Sequence, residues 1–181
     1  MEKTIYHVSK TPNLKVLEPR VCSHGKAYVY ASYSLETSLL FGGAPWSDWD
    51  FIYKRNYETG ELTFSETYEG VFNKTFKNKK CVIYEVEDSG FLQGQTHMWD
   101  EIVSEHPTKV IKETVVEDLS EIIKKFAEQN KIKLEFYNNS ASYIQKVKKH
   151  ILNLQKYSDI YNQNNSEVLL KHFEKWIIKY K

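Results

Sequence analysis

An imidazole at His7, paired phenols at Tyr28 and Tyr30 and a carboxylate at Glu101 are the side chains whose types and settings could do chemistry in this chain. Tyr28 and Tyr30 are two apart in the run AYVYAS, so an extended backbone puts both on one side. A helix that follows at once and carries Phe41 would complete an aromatic-walled notch. The plainer alternative is a pair of ordinary core tyrosines. His7 lies in KTIYHVS, where it serves a ligand or is a hydrogen-bonded interior group. Glu101 falls at a junction of loop and strand, where a carboxylate either points into a cleft or stays solvated.

The elements that must position these groups can be read from local pattern. Lys3 to Ser9 alternates loosely and is read as a first strand, with Ile5 and His7 on one face and Tyr6 and Val8 on the other. TPNLKVLEPR, with two prolines, reads as loop around a short extended LKVL piece. The strand at Ala27 to Ser32 feeds a helix capped by Ser34 in the run SLET, and Gly42-Gly43 ends it. Gly42 to Lys80 reads as a long insertion holding a hairpin around Glu58-Thr59-Gly60-Glu61. Its Trp46 and Trp49 either close over a ligand or cover the edge of the sheet. Cys81 to Val86 is apolar enough for a central strand, and Ile102-Val103 and Val110-Ile111 form strand pieces on either side of Pro107.

From Glu117 onward the spacing turns helical. Leu119, Ile122, Ile123 and Phe126 mark a first helix to about Gln129, followed by helices at 140–161 and 166–180 behind Asn-rich stops. The chain therefore divides into a strand-rich core, 1–116, and a helical extension packed on it, 117–181. Lys146, Lys148 and Lys149 make a basic patch on one of those helices, which reads as a solvated face.

Composition narrows the function classes. A chain of 181 residues with 41% hydrophobic and 27% charged residues has the make-up of one globular domain, and a net charge of +1 argues against a dedicated polyanion binder. Arginine occurs only at Arg20 and Arg55, although Arg is the residue that grips phosphates bidentately. Cys22 and Cys81 lack metal-ligand spacing and are expected to be free thiols, with no metal site. The opening MEKTIYHVSK has no apolar run and no stretch reaches membrane-span length, so the expected address is the cytoplasm.

The order His, Tyr, Glu on successive strands resembles the ADP-ribosyltransferase superfamily, in its diphtheria-toxin-like branch. The resemblance is carried by YHVS at Tyr6 to Ser9, VYAS at Val29 to Ser32 with the helix to Phe41, VIYEVE at Val82 to Glu87, and DEIVSEHPTKVI at Asp100 to Ile111. It covers about residues 4 to 116 and is similar to the rifampin ADP-ribosyltransferases and the catalytic domain of poly(ADP-ribose) polymerases. The resemblance implies an α+β fold with a split β-sheet core, here followed by the C-terminal helical extension. It also implies NAD as substrate and no metal. Glu101, His7 and Tyr30 would be catalytic, and His7, Ser9, Tyr28, Tyr30, Phe41 and Arg20 would bind NAD. Cleavage of the nicotinamide-ribose bond passes through an oxocarbenium-like sugar. Glu101 would stabilise that charge, and ADP-ribose would pass to a protein, nucleic-acid or small-molecule acceptor. The family pattern has His-Gly-Thr or His-Gly-Ser where this chain has His7-Val8-Ser9, which supports the alternative of a catalytically silent interaction module of the same fold. RNA 2′-phosphotransferases, whose sites need several arginines, fit less well.

Overall fold

A computed structural model describes residues 4–21, 26–43, 48–96, 98 and 100–161, with 155–161 described by backbone only. It is a mixed α+β fold of three small sheets. The first has the order β1 (Ile5–Ser9), β7 (Cys81–Val86), β10 (Thr108–Val116), β2 (Val16–Leu17). The second runs β3 (Arg20–Val21), β4 (Ala27–Ala31), β9 (Ile102–Ser104), β8 (Leu92–Gln93). The third is β11 (Ile132–Glu135), β6 (Leu62–Glu66), β5 (Phe51–Arg55). A single antiparallel bridge, Tyr6 with Ser32, joins β1 of the first sheet to the end of β4 in the second.

The reason Cys81 to Val86 is so apolar lies in its place between β1 and β10, where both faces are covered. Cys81 and Ile83 enter one core with Leu39, Leu40, Phe51, Phe64 and Phe76. Val82, Tyr84 and Val86 enter a second core with Ile5, Val29, Ala31 and Ile102. The Cys81 thiol is free, and burial pushes its pKa up to about 11.

The hairpin forms where its turn residues predict. Asn56 Oδ1 accepts from the amides of Glu58 and Thr59, and Gly60 takes φ +74°, in the left-handed region that glycine enters without strain. α1 (Leu35–Phe41) is capped by Ser34, whose Oγ accepts from the Thr37 amide at 3.1 Å. It ends at Gly42, as the Gly-Gly pair predicts. The need for glycine there is one of space: a Cβ on Gly43 would stand 2.3 Å from the ring of Phe76, the last residue of α2 (Val71–Phe76).

Residues 117–161 are not helical throughout. α3 (Leu119–Glu128) forms as its spacing predicts, capped by Asp118, and buries Leu119, Ile123 and Phe126 in the first core. Asn130 then turns the chain at φ +57°, and β11 pairs in parallel with β6, Ile132 opposite Leu62. This strand sits where the sequence reading had only helices. Only Ile132 is buried in this four-residue strand, which is too short for a period of two to stand out. The expected extension is thereby tied into the core by a strand as well as by α3. α4 (Ala141–Tyr161) packs Tyr143, Val147 and Ile151, four apart, against Trp49, Ile52 and Tyr137. Trp49 thus covers a packing face, whereas Trp46 and the helix expected at 166–180 lie outside the described residues. Lys148 and Lys149 are exposed, and Lys146, partly exposed, pairs with Glu135 and donates to Ser65 Oγ at 2.8 Å.

Candidate functional site

The candidate site is built around the seam where β1 lies beside β4. Tyr6 and Ser32 exchange backbone hydrogen bonds of 2.8 and 2.9 Å. One residue further along β1, the His7 ring reaches β4 directly: Nδ1 lies 2.7 Å from the Tyr30 carbonyl. A carbonyl only accepts, so Nδ1 carries the proton and Nε2 is the acceptor nitrogen of the neutral ring. Burial lowers the His7 pKa, the Tyr30 carbonyl works against that shift, and the charge of Arg20 adds to it. The ring stacks at 6.4 Å on Tyr84 of the second core.

Tyr28 and Tyr30 share a side of β4 as their spacing predicts, with rings 5.9 Å apart in an edge-to-face contact. Val29 and Ala31 take the opposite side, into the second core. Arg20 is exposed and pairs in register with Tyr28 across β3 and β4. It is close enough for its charge to act on His7. Glu101 immediately precedes Ile102, whose partner in register is Ala31. His7, Tyr28, Tyr30 and Arg20 therefore come from the adjoining strands β1, β4 and β3, and Glu101 from the turn before β9, but the Tyr28 and Tyr30 rings lie on the side of β4 away from the second core that His7 faces. His7 meets Tyr30 through the backbone carbonyl and leans with Ile5 towards the second core. Ser9 is engaged in the turn after β1, its Oγ accepting from the Thr11 amide at 3.1 Å. Phe41 closes α1, about 10 Å of helix beyond the Ser34 cap.

Val8 is partly buried against the first core. Its Cγ1 would be 2.8 Å from a Cβ placed on Gly42. The side chain is thus packed on the α1 side of β1.

Beside Glu101 stands a network that the sequence reading did not single out. Asp100 Oδ2 accepts from the Tyr53 hydroxyl in a short hydrogen bond, from Arg55 Nε at 2.5 Å and from Thr37 Oγ1 at 3.3 Å. Arg55 also donates through Nη2 to Ser34 Oγ and Thr37 Oγ1, at 2.9 and 2.8 Å, and through Nη1 to the Gly60 carbonyl at 2.9 Å. Both charged side chains are only 12% exposed. Burial opposes the Arg55 charge and Asp100 more than offsets it, raising the arginine pKa. Burial, and then the bond to Asp100, push the Tyr53 phenol far above its ordinary range, so it stays a donor. An open groove of about 1290 Å³ runs past this network, with Ser34, Arg55, Gly60, Glu61, Lys131 and Phe136 in its lining. The available signal was compositional: Arg55 is one of two arginines, and it follows Tyr53 on a strand at the spacing that puts both on one face.

Among the described residues, no three His, Cys, Asp or Glu side chains gather closely enough to hold a metal ion. No helix among them is long and apolar enough to cross a membrane. Compared with known proteins, the chain matches no family model, no curated protein and no solved structure.

Proposed function

We propose that the chain is an NAD-dependent ADP-ribosyltransferase, or an NAD glycohydrolase built on the same site, with the split sheet of that superfamily and a cytoplasmic address. The observation that carries the reading is the seam. β1 and β4 share the one Tyr6–Ser32 bridge, His7 spans to the Tyr30 carbonyl, and Arg20 with the two tyrosine rings lies next to the strand that begins after Glu101.

In this reading the nicotinamide ring stacks on Tyr30, with Tyr28 holding that ring edge-on and Phe41 contributing from α1. Ser9 supports the amide end. His7, neutral with Nε2 as acceptor, takes a hydrogen bond from the adenosine ribose. Arg20 meets the diphosphate. The nicotinamide–C1′ bond breaks with its electron pair leaving on the nicotinamide nitrogen. Glu101 orients the 2′-hydroxyl and stabilises the sugar cation left behind. A water or acceptor nucleophile then forms the new bond to C1′ and loses its proton to solvent. Val8 stands against the first core, so its side chain does not favour the silent alternative.

Titration calorimetry with NAD tests the reading. Binding in the micromolar to submillimolar range is expected, weakened at least tenfold in Tyr30→Ala by loss of about 1.4 kcal/mol or more of stacking and burial. No heat up to millimolar NAD would contradict it.

A further inference from the structure

We propose that Asp100 is a positioning residue for Glu101: clamped by its side chain and by its own carbonyl, it fixes the backbone just before Glu101 and so sets where that carboxylate lies. This rests on the ADP-ribosyl reading of the seam.

The clamp draws on four side chains from three separate parts of the fold. Tyr53 and Arg55 come from β5 and Thr37 from α1, and all three donate to the Asp100 carboxylate. The fourth is Ser32, at the end of β4, whose Oγ donates to the Asp100 carbonyl at 2.7 Å. Ser32 is the same residue that bridges β1 through Tyr6, and it is 1% exposed. The backbone of Asp100 is thereby locked to the point where the His7 strand and the Tyr30 strand join. Glu101 follows with its amide bonded to the Met98 carbonyl at 3.1 Å, closing a turn directly in front of β9. The clamp and the turn together fix the backbone from which the Glu101 side chain starts. An ion pair is well suited to this task because Arg55 spends its donors on four different acceptors, Asp100, Ser34, Thr37 and Gly60, giving the carboxylate one orientation rather than a choice. Tyr53 and Arg55 share a face of β5, which aims the phenol and the guanidinium at one point. Ser34 and Thr37 are already ordered by the α1 cap and hold the guanidinium from behind.

A carboxylate that must meet a developing sugar cation works only within tight geometric limits, and displacement of the order of 1 Å costs on the order of a hundredfold in rate. Asp100→Asn keeps the shape and most hydrogen-bonding capacity while removing the charge that orients Arg55. Steady-state nicotinamide release is measured for the full chain and for Asp100→Asn, Arg55→Gln, Glu101→Gln and the double variant Asp100→Asn/Glu101→Gln. For the two clamp variants kcat is expected to fall on the order of a hundredfold with KM for NAD held within about threefold. The double variant is expected to be no slower than Glu101→Gln alone, because Asp100 acts through Glu101. A merely structural residue would slow the Glu101→Gln background as much as it slows the wild type, and that additive result would overturn the proposal.

Should the wild type release no nicotinamide, the ADP-ribosyl reading falls, and the positioning claim is read from the Glu101 backbone amide by NMR relaxation. Its order parameter is expected to drop from about 0.85 to below about 0.6 in Asp100→Asn, with the β7 amides unchanged. An undisturbed Glu101 amide would overturn the clamp regardless of activity.

Discussion

Arg55→Met tests the physics of the clamp apart from any activity. Methionine keeps much of the arginine stem and removes the guanidinium, and with it four hydrogen bonds, to Asp100, Gly60, Ser34 and Thr37. What remains among the described residues is the Asp100 carboxylate at 12% exposure, with the Tyr53 and Thr37 hydroxyls donating to it. Breaking a buried pair from one side costs about 3–5 kcal/mol, whereas an exposed pair is worth about 0–1 kcal/mol. The residual exposure favours the lower end of the buried range, so a loss of about 3 kcal/mol is expected. For a domain of this size that corresponds to a fall of about 6–12 °C in Tm. Urea unfolding measures it directly, with the m-value unchanged if the native fold persists. A companion variant, Arg55→Met with Asp100→Leu, removes the stranded charge and should recover most of the loss, because an apolar pair of similar volume replaces a buried ion pair at little cost. A loss below about 1 kcal/mol for Arg55→Met, or no recovery in the double variant, would refute the buried-pair account.

Two further expectations follow from packing and protonation. Gly43→Ala places a Cβ 2.3 Å from a fully buried Phe76 that is hemmed in by Phe51, Phe64 and Phe72. It should cost about 1–3 kcal/mol in urea unfolding, and a neutral result would mean the ring can move aside. His7 has a folded-state pKa below the ordinary 6.5, so the unfolded chain binds a proton that the folded chain resists. Its contribution to stability is complete above pH 6.5 and is lost as pH falls through the folded value. Stability curves between pH 7.5 and pH 5 should therefore converge for wild type and His7→Gln as acid is added, and parallel curves would show that His7 titrates as it does in the unfolded chain.

Much of the scaffold was legible because it is local. Ser34 announces its helix by a cap three residues ahead of the amide it binds. The Asn56 to Glu61 turn is written in residues that hydrogen-bond one another. Cys81 to Val86 reveals its two covered faces through apolarity alone. β11 was lost because its pairing with β6 joins residues 70 apart along the chain, Ile132 to Leu62, and four residues cannot overrule the helical period on either side. The site divides in the same way. That Tyr28 and Tyr30 share a side of β4 follows from a period of two, and the contact of their rings bears it out. That Asp100 meets Tyr53 and Arg55, 47 and 45 residues away, depends on how the second and third sheets are brought together, and no local pattern encodes it. The face of β4 on which an imidazole from β1 would lie was equally hidden, because one isolated bridge leaves the two strands free to diverge beyond it.

The central claim is that Glu101 stabilises a sugar cation formed from NAD at the β1–β4 seam. Its most direct test is single-turnover release of nicotinamide from NAD by the intact chain, followed by chromatography alongside Glu101→Gln. The account predicts release by the wild type and a loss of about two orders of magnitude or more in the variant, with NAD binding retained. Equal release by both proteins, or none by the wild type under conditions where NAD is bound, would contradict it.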